Sequence, residues 1–410
     1  MKLFTVLRPP LLILVFILGM FSRTRAAPGD VDLSFDPGSG VNGRVNAVVV
    51  QPDGKVLIGG EFTMVKGLVR SRVARLNADG SGDASFDASD PNSGIGSVSA
   101  IALQADGKVL VAFHQGITRL IADGSKDTTF INPSVLDHNL LPAGVRTIAL
   151  QLDGKILIGG FQFSIVNGAF RERIARLNVD GSLDDTFQPG SGVQGDFNAV
   201  HSIAVQSDGR VLIGGSFIGY NGTFRNNIAR VNSDGTLDGT FDPGTGTNGS
   251  VYVIVLQPDG KLVLGGAFSQ VNGTSRKSIA RLHADGALDS FFDPGSGLDG
   301  GFAYSLALQS DGRVLVGGRT APGNSGLNLL DRYRHLVCCL RSGRLLRWRL
   351  YRRTDVRQDR PDDRGSAWSH DVGSHHPLDP LLPDEHGGGT GGRRVQRRCE
   401  RCRRPWPNRC

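Results

Sequence analysis

Four stretches of the sequence repeat one cluster of oxygen-bearing side chains: Asn77, Asp79 and Asp83; Asn178, Asp180 and Asp184; Asn232, Asp234 and Asp238; His283, Asp285 and Asp289. In each, the middle Asp precedes a Gly, so the pattern is Asn/His-x-Asp-Gly-x-x-Asp. Oxygen ligands at alternate positions around a Gly turn are the raw material of a calcium loop. An EF-hand loop needs further oxygens and a Glu at its twelfth position, and these are absent. The preferred reading is a β-turn whose carboxylate caps the backbone, repeated because every unit turns there. No metal and no cofactor are expected.

Arg75, Arg119, Arg176, Arg230 and Arg281 recur in the same way. They would make either a ring of cations facing a ligand or, as preferred, buried guanidinium groups satisfying carbonyls and carboxylates between units. Catalysis usually needs a unique constellation, and repetition argues against one. No GxSxG, HExxH or P-loop occurs. His114, His138, His201 and His283 lack ligand spacing and read as surface or turn residues. No catalytic set is identified. A carbohydrate-active hydrolase or lyase is the alternative function, and it would need two carboxylates facing across a cleft. Asp90, Asp137, Glu172 and Asp196 are the acids outside the repeat that could supply them.

Binding is the leading expectation. Residues 63–72, 164–173, 218–227 and 269–278 form loops that carry Arg70, Arg72, Phe170, Arg171, Arg173, Tyr220, Phe224 and Arg225. Arginine and aromatic residues are favoured at interfaces. The expected partner is a protein or polysaccharide, not nucleic acid. A purely structural repeat module is a further alternative, with the same side chains packing on their own unit.

The elements that position these residues follow from one anchor, Gln-x-Asp-Gly-Lys/Arg before an apolar run. It begins at Gln51, Gln104, Gln151, Gln206, Gln257 and Gln309. Within a unit, VNAVVVQ reads as a strand, Pro52-Asp53-Gly54 as a tight turn, KVLIGG as a strand covered on both faces, and VARLN as a third strand. Such a small antiparallel sheet cannot bury both faces alone. Sheets repeating at about 50 residues stack radially as propeller blades. A β-solenoid is the competitor, with rungs of about 20–30 residues. The fold class is therefore all-β, a propeller of about six blades with the last incomplete. The second copy has lost its long loop, and Ala112-Phe113 stands where others have Gly-Gly.

VNAVVVQPDGKVLIGGEF, VARLNADGSGDASFD and their copies across residues 29–318 resemble the delta-60 repeat family of exported bacterial proteins. The resemblance implies a β-propeller and assigns no activity.

Both ends depart from the repeat. Residues 1–27 read as a secretory signal peptide, with Lys2 and Arg8 before the uncharged run Leu11 to Phe21 and small residues Thr24, Ala26 and Ala27 after it. The expected location is secreted or cell-surface, with no membrane span after signal removal. The segment 30–38 matches the end of a unit, and Phe35 could close the sixth copy. Residues 28–319 form the repeat domain. Residues 320–410 hold 19 Arg, no Lys, ten acids, all five Cys and all three Trp, whereas the body before them is close to neutral. This tail is expected to be disordered. The preferred reading is a reading-frame shift near Arg319, with the lost repeat elements encoded in another frame; a genuine basic tail binding an anionic surface is the alternative.

Overall fold

The computed structural model describes residues 34–88, 96–195, 199–295, 297–298 and 300–319, and the backbone of 335–341 and 344–350. Residues 1–27, expected to be a signal peptide, most of the tail, Asp90 and Asp196 lie outside the described residues. No helix occurs among the described residues; every regular element is a strand.

Six antiparallel strand groups follow one another in sequence order as the blades of a propeller, with a bridge from Phe161 to Ala199 joining blades 3 and 4. In blade 1 the inner strand Val45–Val50 pairs with Val56–Gly60, which pairs with Val73–Leu76. Blades 2 to 5 repeat this arrangement from inner strands Val98–Leu103, Gly144–Leu150, Ala199–Val205 and Val251–Leu256. Blade 6 begins with Phe302–Leu308 and Val314–Arg319. Each inner strand packs against the inner strand of the next blade. The strands are joined by the Asp-Gly hairpin that the sequence suggests. Gln51 N–H donates to Lys55 O at 2.7 Å, and Gly54 supplies the φ of 82° that a Cβ would oppose.

The core lies between blades. Leu57 and Val73 of blade 1 pack with Phe86 and with Val98, Ile101 and Val111 of blade 2. The same composition recurs at the later interfaces, for example Leu157 and Ile174 with Phe187, Val200 and Ile213. The Gly-Gly pair makes this approach possible. A Cβ on Gly59 would enter Val98 and Ile101 of the next blade, and one on Gly60 would strike Arg44 O.

Each unit's closing segment crosses to the following blade. The N–H groups of Asp87, Gln188 and Asp242 donate to the carbonyls of Asp123, Asp234 and Asp285. Asp36 N–H donates to Asp79 O in the same way, and Phe35 packs with Ile58, Phe62 and Val65. The N-terminal fragment is thus docked on blade 1. The expectation that Phe35 pairs into the sixth copy is corrected here: a closing segment belongs to the blade after it.

Blade 6 lacks the repeat's own third strand. The backbone of His335–Arg341 pairs with Val314–Arg319 instead, and Arg344–Leu350 pairs outside it. An open sheet edge offers unpaired N–H and C=O groups to any extended segment, whatever its side chains.

Candidate functional site

All six inner strands break register at one place, between Val45 and Ala47, Val98 and Ala100, Val145 and Thr147, Val200 and Ser202, Val251 and Val253, and Ala303 and Ser305. A β-bulge leaves one residue outside the ladder and re-aims its side chain. The bulged residues are Asn46, Ser99, Arg146, His201, Tyr252 and Tyr304. The residue before the bulge is Val in five blades and Ala in the sixth, whereas the bulge position takes five residue types, with Tyr twice.

Four of the bulge side chains reach the next blade. Asn46 Nδ2 donates to Val98 O of the next blade at 2.8 Å, and Ser99 Oγ donates to Val145 O. The Arg146 guanidinium lies 5.1 Å from the centre of the Phe161 ring. The His201 and Tyr252 rings meet edge-on at 5.3 Å, and Tyr252 stacks on Tyr304 at 5.4 Å with 21° between planes. His201 Nε2 lies 3.0 Å from Ser216 Oγ, which lies 2.7 Å from Ser250 Oγ. A polar chain therefore leads from His201 through two hydroxyls on adjacent blades. Beside it, a cleft of about 400 Å³ opens, lined by Ser216, Ser250, Asn226, Asn227, Thr247 and Asn248 among others.

Burial, and secondarily Arg146, lowers the His201 pKa to about 4. Its imidazole is neutral at neutral pH. Burial, and secondarily Tyr304, raises the Tyr252 hydroxyl, so it too is neutral. Burial also draws the Arg146 guanidinium down without discharging it. Among the described residues no carboxylate pairs with Arg146. The arrangement can hold an anion and offer neutral hydrogen-bonding and aromatic surface around it.

An unfolded-chain imidazole titrates near 6.5, so folding is stabilised in full above that pH and loses the contribution as pH falls towards 4. His201→Gln should remove about 2 kcal/mol of this dependence, discounted for partial exposure. Urea midpoints at about pH 7 and about pH 4.5 measure it; an unchanged pH slope would contradict a withdrawn neutral imidazole. The reading of His201 as a surface or turn residue is corrected by its place on an inner strand.

The recurring arginines are structural. Arg75, Arg119, Arg176 and Arg230 each pair through Nε with the Asp eight residues on. Each also reaches a carbonyl of the next blade: Ala122, Val179, Ser233 and Ala284. Each guanidinium covers the closing Phe of its own unit at 4.7–5.0 Å. Arg281 has its Asp and Phe too, but blade 6 lacks the Asp-Gly turn whose carbonyl it would reach. The Asp of the Asp-Gly turn caps its own loop, as Asp79 does with the N–H and hydroxyl of Ser81.

The four long loops are short hairpins, such as Ile165–Val166 with Ala169–Phe170 and Gly219–Tyr220 with Thr223–Phe224. Arg70, Arg171 and Arg225 each donate to the carbonyl of the preceding residue, and Arg276 repeats the contact. Arg72 occupies a left-handed turn at φ 69°. Arg173 and Glu172 form an ion pair, and His138 Nε2 lies 2.9 Å from Glu172 Oε1. Tyr220 is fully enclosed, with its hydroxyl donating to Gly235 O at 2.7 Å. Phe170 and Phe224 are exposed, at 51% and 58%. Asp137 caps the N–H groups of Asn139 and Leu141. His201, Tyr252 and Tyr304 of the bulge positions meet in space, whereas these candidates are spread over separate hairpins.

A family profile described as a domain of unknown function (DUF5122) beta-propeller matches the chain at residues 51–86, 151–187, 206–241 and 257–292. The chain is built from β-propeller repeats. Each match runs from an anchor Gln to the closing Phe of its unit, so the inner strand and its bulge lie upstream of the shared propeller text. No curated protein matches the sequence significantly. Solved structures with a similar backbone include a gluconolactonase from Xanthomonas campestris (15% identity, 67% of this chain and 82% of that one, TM-score 0.38). Another is virginiamycin B lyase from Staphylococcus aureus (14% identity, 75% and 94%, TM-score 0.44). A third is a mitotic checkpoint complex chain (15% identity, 79% and 87%, TM-score 0.48).

Proposed function

We propose that this chain is an exported or cell-surface propeller scaffold of the delta-60 type that binds a protein or polysaccharide partner, and that the bulge line on the inner strands is where it binds. The observation that carries this reading is the contrast between a repeated scaffold and one structural position that takes five residue types in six blades. A scaffold residue recurs because every blade needs it, as the inter-blade arginines do. A position that differs in nearly every blade, several times as a large polar or aromatic residue, has another use. Neutral His201, Arg146 with no carboxylate partner among the described residues, and the two tyrosines supply a few polar and aromatic groups, as ligand sites do.

The test is a binding panel of immobilised polysaccharides and surface proteins with the purified full chain. Tyr252→Ala with Tyr304→Ala should abolish binding to whichever ligand is retained, with an unchanged circular dichroism spectrum. The exposed rings of Phe170 and Phe224 on neighbouring blades favour a second reading, a docking strip on the outer hairpins. Gly-Ser replacement of residues 164–173 and 218–227 separates the two. Loss of binding there, with the tyrosine variant unaffected, would move the site to the rim.

A further inference from the structure

We infer that the ligand of the bulge line is an anionic sugar, held by Arg146 through its acidic group and by Tyr304 through its ring face. This rests on the reading above that the bulge line is a binding site, and names the chemistry of its ligand.

Three observations converge. Arg146 is a cation without a carboxylate partner among the described residues, seated on the Phe161 ring. A guanidinium fork matches a planar or tetrahedral oxyanion with two parallel hydrogen bonds, and partial withdrawal from water strengthens them. Tyr252 and Tyr304 form a stacked aromatic step, and Tyr304 remains 53% exposed. A ring face open to solvent can take the C–H face of a pyranose, while its hydroxyl end remains available for hydrogen bonding. The adjoining cleft offers amides and hydroxyls, among them Asn226, Thr247 and Asn248, beside the apolar side chains of Phe217 and Ile218. A sugar ring, with hydroxyls at its rim and an apolar C–H face, matches that mixed lining.

The order along the inner strands sets the pose. Arg146, His201, Tyr252 and Tyr304 sit on blades 3, 4, 5 and 6 in turn, with contacts His201–Tyr252 and Tyr252–Tyr304 between neighbours. The acidic group lies at the blade 3 end and the stacked ring at the blade 6 end. Neutral His201 and the Ser216–Ser250 hydroxyl pair between them are free of net charge, so they do not oppose the anion.

The experiment is isothermal titration of the full chain with three probes of equal length: an oligogalacturonate, a sulfated oligosaccharide and a neutral oligoglucoside. The anionic probes should bind at least about tenfold more tightly than the neutral one, the size of one charge-assisted contact. Arg146→Gln should erase that difference, and Arg146→Lys should restore part of it; Tyr304→Ala should weaken all probes alike. Preference for the uronate over the sulfated probe identifies a carboxylate, and the reverse a sulfate; either supports the inference. Equal binding of all three probes, unaffected by Arg146→Gln, overturns the anionic assignment and leaves the bulge line as a site. No binding of any probe overturns the sugar class, and the tyrosine variant on the broader panel then decides separately whether the bulge line binds at all.

Discussion

Asp184→Asn should destabilise the propeller by about 3–5 kcal/mol, the cost of leaving a buried cation unpaired. Asp184 Oδ2 accepts from Arg176 Nε at 2.6 Å and Lys155 Nζ at 2.8 Å. Its other oxygen caps the N–H and hydroxyl of Thr186. Burial pushes this carboxyl up, but hydrogen bonds from Lys155, Thr186 and Arg176 outweigh it and hold it well below the usual carboxylate range. The amide keeps the shape and some of the hydrogen bonds but none of the charge. Arg176 would then lie against Phe187 and Ser233 O without a counter-ion. Equilibrium urea unfolding at neutral pH is the measurement, and a loss under about 1 kcal/mol would place the cluster with ordinary surface pairs. The acid limb gives a second check. A carboxylate with a depressed folded pKa contributes stability above its unfolded value of 3.8 and loses it as pH falls below. The variant should therefore show a shallower acid transition than the parent.

Gly215→Ala should cost about 3 kcal/mol and weaken ligand binding at the same time. A Cβ there would collide with the carbonyl oxygen of Ala199, a backbone atom with nowhere to retreat. Ala199 opens the inner strand of blade 4, and His201 is its bulge. Any shift that relieves the clash moves the start of the strand that carries His201. Thermal denaturation reads the first effect, titration with the ligand retained from the binding panel reads the second, and the His201 imidazole resonances report the strand shift that links them. A stable variant with unmoved His201 signals would show that the strand pair tolerates the extra methyl.

The blade architecture was legible because its determinants are local. Asp-Gly turns, the apolar run before Gly-Gly and the recurring Arg-Leu-Asn strand each have one cheap conformation, and they agree with one another. The structural role of Arg176 and its equivalents could be read from recurrence alone. The candidate site was not legible in the same way. Asn46, Ser99, Arg146, His201, Tyr252 and Tyr304 form one aligned column, but strict strand alternation treats that column as one more position in a half-buried strand. The bulge that takes it out of alternation forms in blade 2 as well, where Ala112 and Phe113 replace the glycines, so neither the strand nor the Gly-Gly pair marks it in the sequence. The hairpin arginines stand out more plainly in the sequence. Arg70, Arg171, Arg225 and Arg276 also form a column, but its constancy marks a scaffold contact with the carbonyl before each of them.

The bulge has a consequence for how such a chain can change over generations. A propeller that grows by copying one unit starts with identical blades and therefore a symmetric axis. Most positions cannot then drift, since Leu57, Val73 and Phe86 and their copies meet a neighbour on every side. The bulged residue is exempt, because it belongs to neither the ladder nor the inter-blade core. Six codons can thus diverge with little penalty to folding, turning duplicated modules into an asymmetric surface one substitution at a time.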